Sequence, residues 1–442
     1  MKRTVSIFLL VTFLMLVAGC KTGVESTISS KSTQSSRNTK SEEEHNAQES
    51  SDTAAFSSID SNGTQNTTHS SSIASSTRTS SAPVSSATSA SQTSQLPPPK
   101  PIATKYLKNT YAKLTIQKSL IIGYIGGSIT YGMSTTNRNT KSWAALTTAW
   151  FKQTYPSASI TDTNQSIGAT GSLFGAGRIK DQLMTPHKPD LIFVEFTVND
   201  YGQSYTQAQS ERWMESLVLT IYECNPYADI VFVYTTDTNF KGGDIVAKTA
   251  FNNVAEHYGL LTVDFGAAMR QEFGTSGSAW IAGGTYFADY VHPNNKGHAK
   301  YAEYMQAVLQ SNLIPGTEVK KQEVPDPLGS DLIIGAKLFT PAQINSLNPG
   351  KGKLSSFSYD ITGDSTIEIV FTGKSVGIAC IFPGGMKIKA IIDGKQTIYY
   401  TSLNDDGSQG LFSDDLPEGQ HTIRISRASS AAELRILGVF AA

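Results

Sequence analysis

The sequence predicts a three-layer α/β/α domain built on a parallel sheet, followed by an all-β sandwich of jelly-roll-like pattern. Three observations carry this. Between residues 101 and 317, short and almost wholly apolar runs alternate with segments of helical period, the pattern of a parallel sheet covered on both faces. Beyond residue 318 the helical period stops, and short β-type runs follow one another at regular spacing with turn residues between them, as in a two-sheet sandwich. Glycine-rich or polar clusters also recur where the apolar runs of the first region end, and that rim is where open α/β sheets bind ligands.

Residues 1–100 precede these domains. Lys2 and Arg3 lead an apolar run over 5–17 that is short for a membrane span and suits a signal peptide. It ends Val17-Ala18-Gly19-Cys20, which resembles the bacterial lipobox. The expectation is a lipoprotein signal peptide over 1–20, with Cys20 as lipid anchor on an extracytoplasmic, membrane-bound protein at the bacterial cell surface. An ordinary secretory signal cut near Ala18 or Gly19 is the alternative. Residues 21–100 are dominated by Ser, Thr, Asn and Gln and close on Pro97-Pro98-Pro99. Such a stretch lacks the apolar surface to fold and is expected to be a disordered tether, with a root-mean-square span of roughly 50 Å.

In the α/β region, residues 120–125 read as a strand running into Gly126-Gly127-Ser128, where the glycines allow a sharp turn. A helix over 142–154 with Ser142 as N-cap, a strand over 159–163 and a glycine-rich loop over 164–178 come next. Pro189-Asp190 then opens an apolar run over 191–198. A helix around 210–224, a strand over 230–234, a helix over 244–257 and a strand over 260–265 continue the alternation. The last helix, 296–309, presents Ala299, Tyr301, Ala302, Met305, Val308 and Leu309 at helical spacing. In the sandwich region, over 318–442, β-type runs fall at 357–361, 366–371, 377–382, 387–392, 397–401, 421–426 and 433–439, with turns at Asp393-Gly394 and Glu418-Gly419 and no helix of useful length. Gly373-Lys374-Ser375-Val376-Gly377 matches a nucleophile elbow in letters only. An elbow joins strand to helix, whereas this stretch lies between two strand-like runs and reads as a hairpin or short loop.

A net charge of −1 argues against nucleic acid as a partner. Cys224 and Cys380 fall in different domains, so no disulfide is expected; Cys224 reads as a buried residue at a helix end. No spacing suits a metal, and no metal or cofactor is expected. The residue types point instead to serine chemistry, which needs a nucleophile, a base, a group that orients the base, and donors for the oxyanion. Ser128 follows the first strand. Asp289 stands three residues before His292, a spacing at which its carboxylate can reach Nδ1 and leave Nε2 facing outward. Asn199 carries a side-chain N–H, and the backbone N–H groups of Ser128 and of the glycine-rich loop are further donors.

The blocks Gly126-Gly127-Ser128-Ile129-Thr130, Asn164-Gln165-Ser166-Ile167-Gly168-Ala169-Thr170-Gly171-Ser172, Glu195-Phe196-Thr197-Val198-Asn199-Asp200 and Asp289-Tyr290-Val291-His292-Pro293-Asn294 together resemble the SGNH (GDSL-type) hydrolases. The resemblance spans about residues 105–312 and implies Ser128 as nucleophile, His292 as base, Asp289 as orienting acid and Asn199 as oxyanion donor. Counting from Asn164, the family's oxyanion glycine falls on Ala169, so Ala169 and Gly168 rank above Gly171. The serine block departs from Gly-Asp-Ser-Leu in lacking the Asp.

The resulting expectation is a serine esterase that removes small acyl groups, O-acetyl above all, from an extracellular polysaccharide or a small ester, with activity lost below roughly pH 6 to 7. The alternatives are a lipid-directed esterase or thioesterase, disfavoured by the lack of a long apolar lid, and a non-catalytic surface glycan-binding protein. His298 reads as structural, and His187 and His257 as solvated. Arg178 either caps a turn or lines the cleft. Trp143 and Trp213 read as core, and Trp280 as a substrate contact.

Overall fold

The structure is a computed structural model that describes residues 106–381, 387–401, 408–428 and 433–442. The expectations for the signal peptide, Cys20 and the tether lie outside the described residues. Strands β1 (Ser119–Gly126), β2 (Ser159–Asn164), β3 (Leu191–Glu195), β4 (Asp229–Tyr234) and β5 (Leu261–Asp264) pair in the order β2-β1-β3-β4-β5. Every pair is parallel. All residues of β3 and β4 are buried, because helices cover both faces and leave no position for a polar side to face water. The chain leaves β1 for β2 on one side and returns to β3 on the other. The carboxyl ends of β1 and β3 therefore flank the crevice that this order creates.

Besides other short helical turns, the helices are α1 (Ser128–Tyr131), α2 (Trp143–Thr154), α3 (Ser172–Ile179), α4 (Thr197–Gly202), α5 (Gln207–Cys224), α6 (Val246–Tyr258), α7 (Phe265–Phe273) and α8 (Asn295–Asn312), with α9 (Pro341–Leu347) further on. Ser142 caps α2 by accepting from the Ala145 N–H, as the sequence suggests. Alternate residues of the strands feed two cores. Phe193, Val231 and Val233 join Trp143, Phe265, Tyr301 and Met305 on one face. Ile192, Val194 and Phe232 join Phe174, Leu217 and Phe251 on the other.

The structure departs from the sequence expectation at several positions. The loop expected over 164–178 becomes helix from Ser172 onward. Its glycines serve close packing: a Cβ at Gly175 would lie 2.6 Å from the Phe196 ring and one at Gly177 2.4 Å from Phe440. The run over 191–198 is strand only to Glu195, so Asn199 stands on α4. Ala299 is exposed, and Gly297 and His298 occupy the buried stripe instead. Cys224 is exposed at the end of α5. Trp280 is core: it packs against Phe287 and donates its indole N–H to Gly274 O at 2.9 Å.

The C-terminal region forms two antiparallel sheets. One has the order β13-β10-β15-β8-β7, with β6 pairing β15, and the other β12-β11-β14-β9. The strands are β6 (Lys337–Phe339), β7 (Lys353–Leu354), β8 (Tyr359–Ile361), β9 (Thr366–Thr372), β10 (Val376–Ile381), β11 (Lys387–Ile392), β12 (Gln396–Thr401), β13 (Ser408–Ser413), β14 (Gln420–Arg427) and β15 (Leu434–Ala441). Strands β6, β7 and β13 and helix α9 add to the elements read from the sequence; each is short or polar enough to carry little periodic signal. Asp393 (φ 51°), Gly394 (φ 70°) and Lys395 turn β11 into β12 as a three-residue hairpin loop. The Gly373-to-Gly377 stretch is not a hairpin, because β9 and β10 belong to different sheets. It crosses between them, and its Lys374 and Ser375 N–H groups hold Ala442 O.

The central strands of the six-stranded sheet are buried on both sides. Ile378, Cys380 and Ile436 face the sandwich interior, while Ala379, Ile381, Leu437 and Phe440 join the α/β core around α3. Residues 313–336, which precede β6, run along α5. The buried Glu215 carboxylate accepts from the Leu328 and Gly329 N–H groups, Ser216 Oγ from Ile333 N and Thr220 Oγ1 from Gly335 N.

Candidate active site

At the end of β1 the chain turns through Gly127 into α1, which makes Ser128 the first residue of a helix. At the end of β3, Glu195 is fully buried within an otherwise apolar strand. It accepts from Thr130 Oγ1 at 2.8 Å and Thr235 Oγ1 at 2.7 Å. Burial raises its pKa, opposed by these hydroxyls and by the Gly127 and Thr130 backbone N–H groups. Glu195 thus ties the turn carrying Ser128 to the neighbouring strand. It escaped notice as a site residue, although a carboxylate closing an apolar strand is a visible signal.

The loop before α8 brings the other two residues to Ser128. His292 Nε2 lies 2.8 Å from Ser128 Oγ, and its Nδ1 lies 2.8 Å from Asp289 Oδ2. An ionised carboxylate only accepts, so Nδ1 carries the proton and Nε2 is left to accept from the serine hydroxyl. Asp289 Oδ1 takes the Val291 and His292 N–H groups at 2.8 and 2.7 Å. Partial burial would raise the Asp289 pKa, but the imidazole and these N–H groups outweigh it and hold the carboxyl below its usual range. The arrangement can draw the Ser128 proton onto His292 and stabilise the charge that results.

Asn199, on α4, lies directly over Gly127: a Cβ there would fall 1.9 Å from Asn199 Oδ1. Its neighbour Asp200 is buried and accepts from the Ser172 N–H at 2.8 Å and from Ser172 Oγ at 2.6 Å. Burial pushes the Asp200 pKa up to about 7 against those hydrogen bonds. Ala169 adopts φ 59°, a left-handed conformation costly for a residue with a Cβ. Among the described residues the backbone N–H groups of Ser128, Gly168 and Ala169 have no protein acceptor, so all three remain open to a ligand oxygen.

Arg178 neither caps a turn nor lines the cleft. It is fully buried on α3, donates to Gly126 O at 3.2 Å and to Gln165 O, and has its pKa lowered by burial to about 9. His298 is structural: Nδ1 accepts from Trp143 N and Nε2 donates to Met133 O, and burial lowers its pKa to about 4. His187 and His257 are half-buried and in contact with Gln165 Nε2 and Asp326 O. Tyr290, between Asp289 and His292 in the chain, is exposed, as is Tyr201, two residues after Asn199 on α4, whose ring meets Phe240 edge-on.

A parallel α/β sheet that joins serine, histidine and carboxylate at its switch point defines the class: a serine ester hydrolase. Residues 124–300 match the sequence model of the GDSL-like Lipase/Acylhydrolase family. Among solved structures, a two-domain esterase (CEX) active on acetylated mannans, co-crystallised with mannopentaose, is similar over 77% of this chain and 96% of its own. The identity is 20% and the TM-score 0.61. A second structure of a two-domain esterase (CEX) active on acetylated mannans is similar over 77% and 98%, at 19% identity and TM-score 0.62. An acetylxylan esterase, Axe2, from Geobacillus stearothermophilus is similar over 43% and 94%, at 21% identity and TM-score 0.36. No curated protein sequence matches the chain.

Proposed function

We propose that the protein is a carbohydrate esterase that removes small acyl groups, above all O-acetyl, from an extracellular polysaccharide through an acyl-enzyme. The observation that carries the chemistry is the unbroken series Asp289–His292–Ser128, with 2.8 Å at each step. Ser128 Oγ attacks the ester carbonyl carbon as its proton passes to His292 Nε2, and the Asp289 carboxylate stabilises the imidazolium. The carbonyl oxygen becomes an alkoxide held by the Ser128 N–H, the Ala169 or Gly168 N–H and the Asn199 amide. The carbon–oxygen bond to the sugar then breaks, and the sugar hydroxyl leaves with the proton from Nε2. Water attacks the acyl-enzyme, gives its proton to Nε2, and the acid departs as Ser128 Oγ recovers a proton.

Support for a polysaccharide comes from the two-domain mannan esterase whose architecture the chain shares over most of both lengths. Exposed Tyr290 and Tyr201, in the segments that carry His292 and Asn199, add to it, since flat aromatic rings suit the faces of sugar rings. The lipobox-like Val17-Ala18-Gly19-Cys20 supports a lipoprotein anchored outside the cytoplasm, with the membrane as second partner. Labelled fatty acid should enter the wild-type chain and not Cys20→Ser.

The chemistry is tested with a chromogenic acetate and a serine-reactive phosphonate. Ser128→Ala should abolish both turnover and labelling, and an unchanged rate would sink the assignment. Acetate release from acetylated glycans, compared with hydrolysis of octanoate esters, tests the substrate. A preference for octanoate would favour a lipid-directed enzyme.

A further inference from the structure

The loop that offers Gly168 and Ala169 to the oxyanion leads into α3 through Gly171, which has no side chain with which to cap the helix. The first-turn N–H groups of a helix have no partner within it and must find one elsewhere. Here Ser172 N is taken by Asp200 Oδ1, and Phe174 N is taken at 3.0 Å by Gln409 Oε1. Gln409 is buried on β13, 235 positions further along the chain and in the C-terminal sandwich. A Cβ at Gly171 would lie 2.5 Å from Asp200 Oδ1 and 3.2 Å from Gln409 Nε2. Glycine is therefore required where the loop meets the helix, because two side chains close over it.

Helix α3 is held from both sides. Phe440 of β15 fills the space above Gly177, and Phe174 presses against Gly438. On the inner side Arg178 donates to Gly126 O, at the strand end that leads into Ser128. A displacement of the first turn of α3 thus reaches both the oxyanion loop and the nucleophile turn.

We propose that Gln409 is a positioning residue for ester hydrolysis: from the C-terminal sandwich it fixes the first turn of α3 and, through it, the 168–171 oxyanion loop. The sandwich thereby completes the geometry of the active site. This inference uses the esterase chemistry but not the identity of the acylated glycan, so the test uses a small aryl acetate.

In the full-length protein, Gln409→Leu keeps the side-chain volume and removes the acceptor. A displaced rather than deleted donor should lower kcat by about tenfold to a hundredfold with KM little changed. Affinity for a trifluoromethyl ketone, whose adduct places an oxyanion in the hole, should fall by a similar factor. Gln409→Met gives a second, more adaptable apolar variant should the leucine fail to fold.

Asp414→Ala is the control. It removes the exposed 2.6 Å pair that Asp414 makes with Arg212, another link between the sandwich and the α/β domain, and should leave kcat unchanged. The proposal is overturned if the Gln409 variants keep kcat within about twofold while only Tm falls. It is equally overturned if Asp414→Ala lowers kcat as much. Phosphonate labelling and turnover by the wild type check the esterase chemistry itself, so failure of that chemistry and failure of the positioning role give different results.

Discussion

Gly127→Ala offers the most direct probe of how the oxyanion site is built. The backbone at Gly127, φ −88° and ψ −154°, is extended and accepts alanine without torsional cost. The new methyl would nevertheless fall 1.9 Å from Asn199 Oδ1 and 2.8 Å from its Cγ, against an ordinary contact beginning at 3.4 Å. The amide must therefore withdraw by about 1.5 Å, more than a hydrogen bond to a developing alkoxide tolerates. Removal of one oxyanion donor costs about 3 kcal/mol, or roughly a hundredfold to a thousandfold in kcat. The expected outcome for Gly127→Ala is a loss of that size in aryl acetate hydrolysis, KM changing by no more than a few-fold. Asn199→Ala should lose about as much, and the double variant little more than either single one, because both changes remove the same donor. Two losses that multiply, or a Gly127→Ala enzyme within threefold of wild type, would refute the assignment of Asn199 to the oxyanion.

Other expectations concern stability and specificity. His298 is neutral in the fold, with a pKa lowered to about 4 from 6.5. The unfolded chain therefore binds the extra proton between those values, so stability falls as pH drops from about 6.5 to 4, by about 3 kcal/mol. His298→Gln keeps an acceptor for Trp143 N and a donor for Met133 O, and thermal melts of the two proteins should converge as pH falls through this window. Gly177→Ala drives a methyl to 2.4 Å from the Phe440 ring and should cost about 1–3 kcal/mol in denaturant unfolding. Tyr290→Ala keeps the backbone oxygen that accepts from Thr238; it should raise KM for acetylated oligosaccharides well above any effect on aryl acetate.

Much of the α/β domain is legible in its sequence because burial on both faces writes itself into continuous apolar strands and 3.6-period helices. The Ser142 cap, the strands around Phe193 and Phe232, and the Asp289–His292 spacing are all local patterns. Helix α3 was not legible in the same way. Gly175 and Gly177 read as loop residues, and only the rings of Phe196 and Phe440 pressed against them explain why glycine belongs in a buried helix. Trp280 misleads for a related reason: its glycine-rich surroundings suggest a surface loop, yet the ring stacks within the core.

The sequence by itself determined the fold class and the residue types and spacing of a serine-hydrolase site, since these rest on periodicity and on neighbours a few positions apart. Only the tertiary structure decided that His292 Nε2 reaches Ser128 Oγ, that Glu195 anchors the nucleophile turn, and that Gln409 caps a helix of the other domain. Such pairings are chosen by which buried donors and acceptors packing leaves in need of a partner. That choice depends on distances across the folded chain and leaves no local pattern to read.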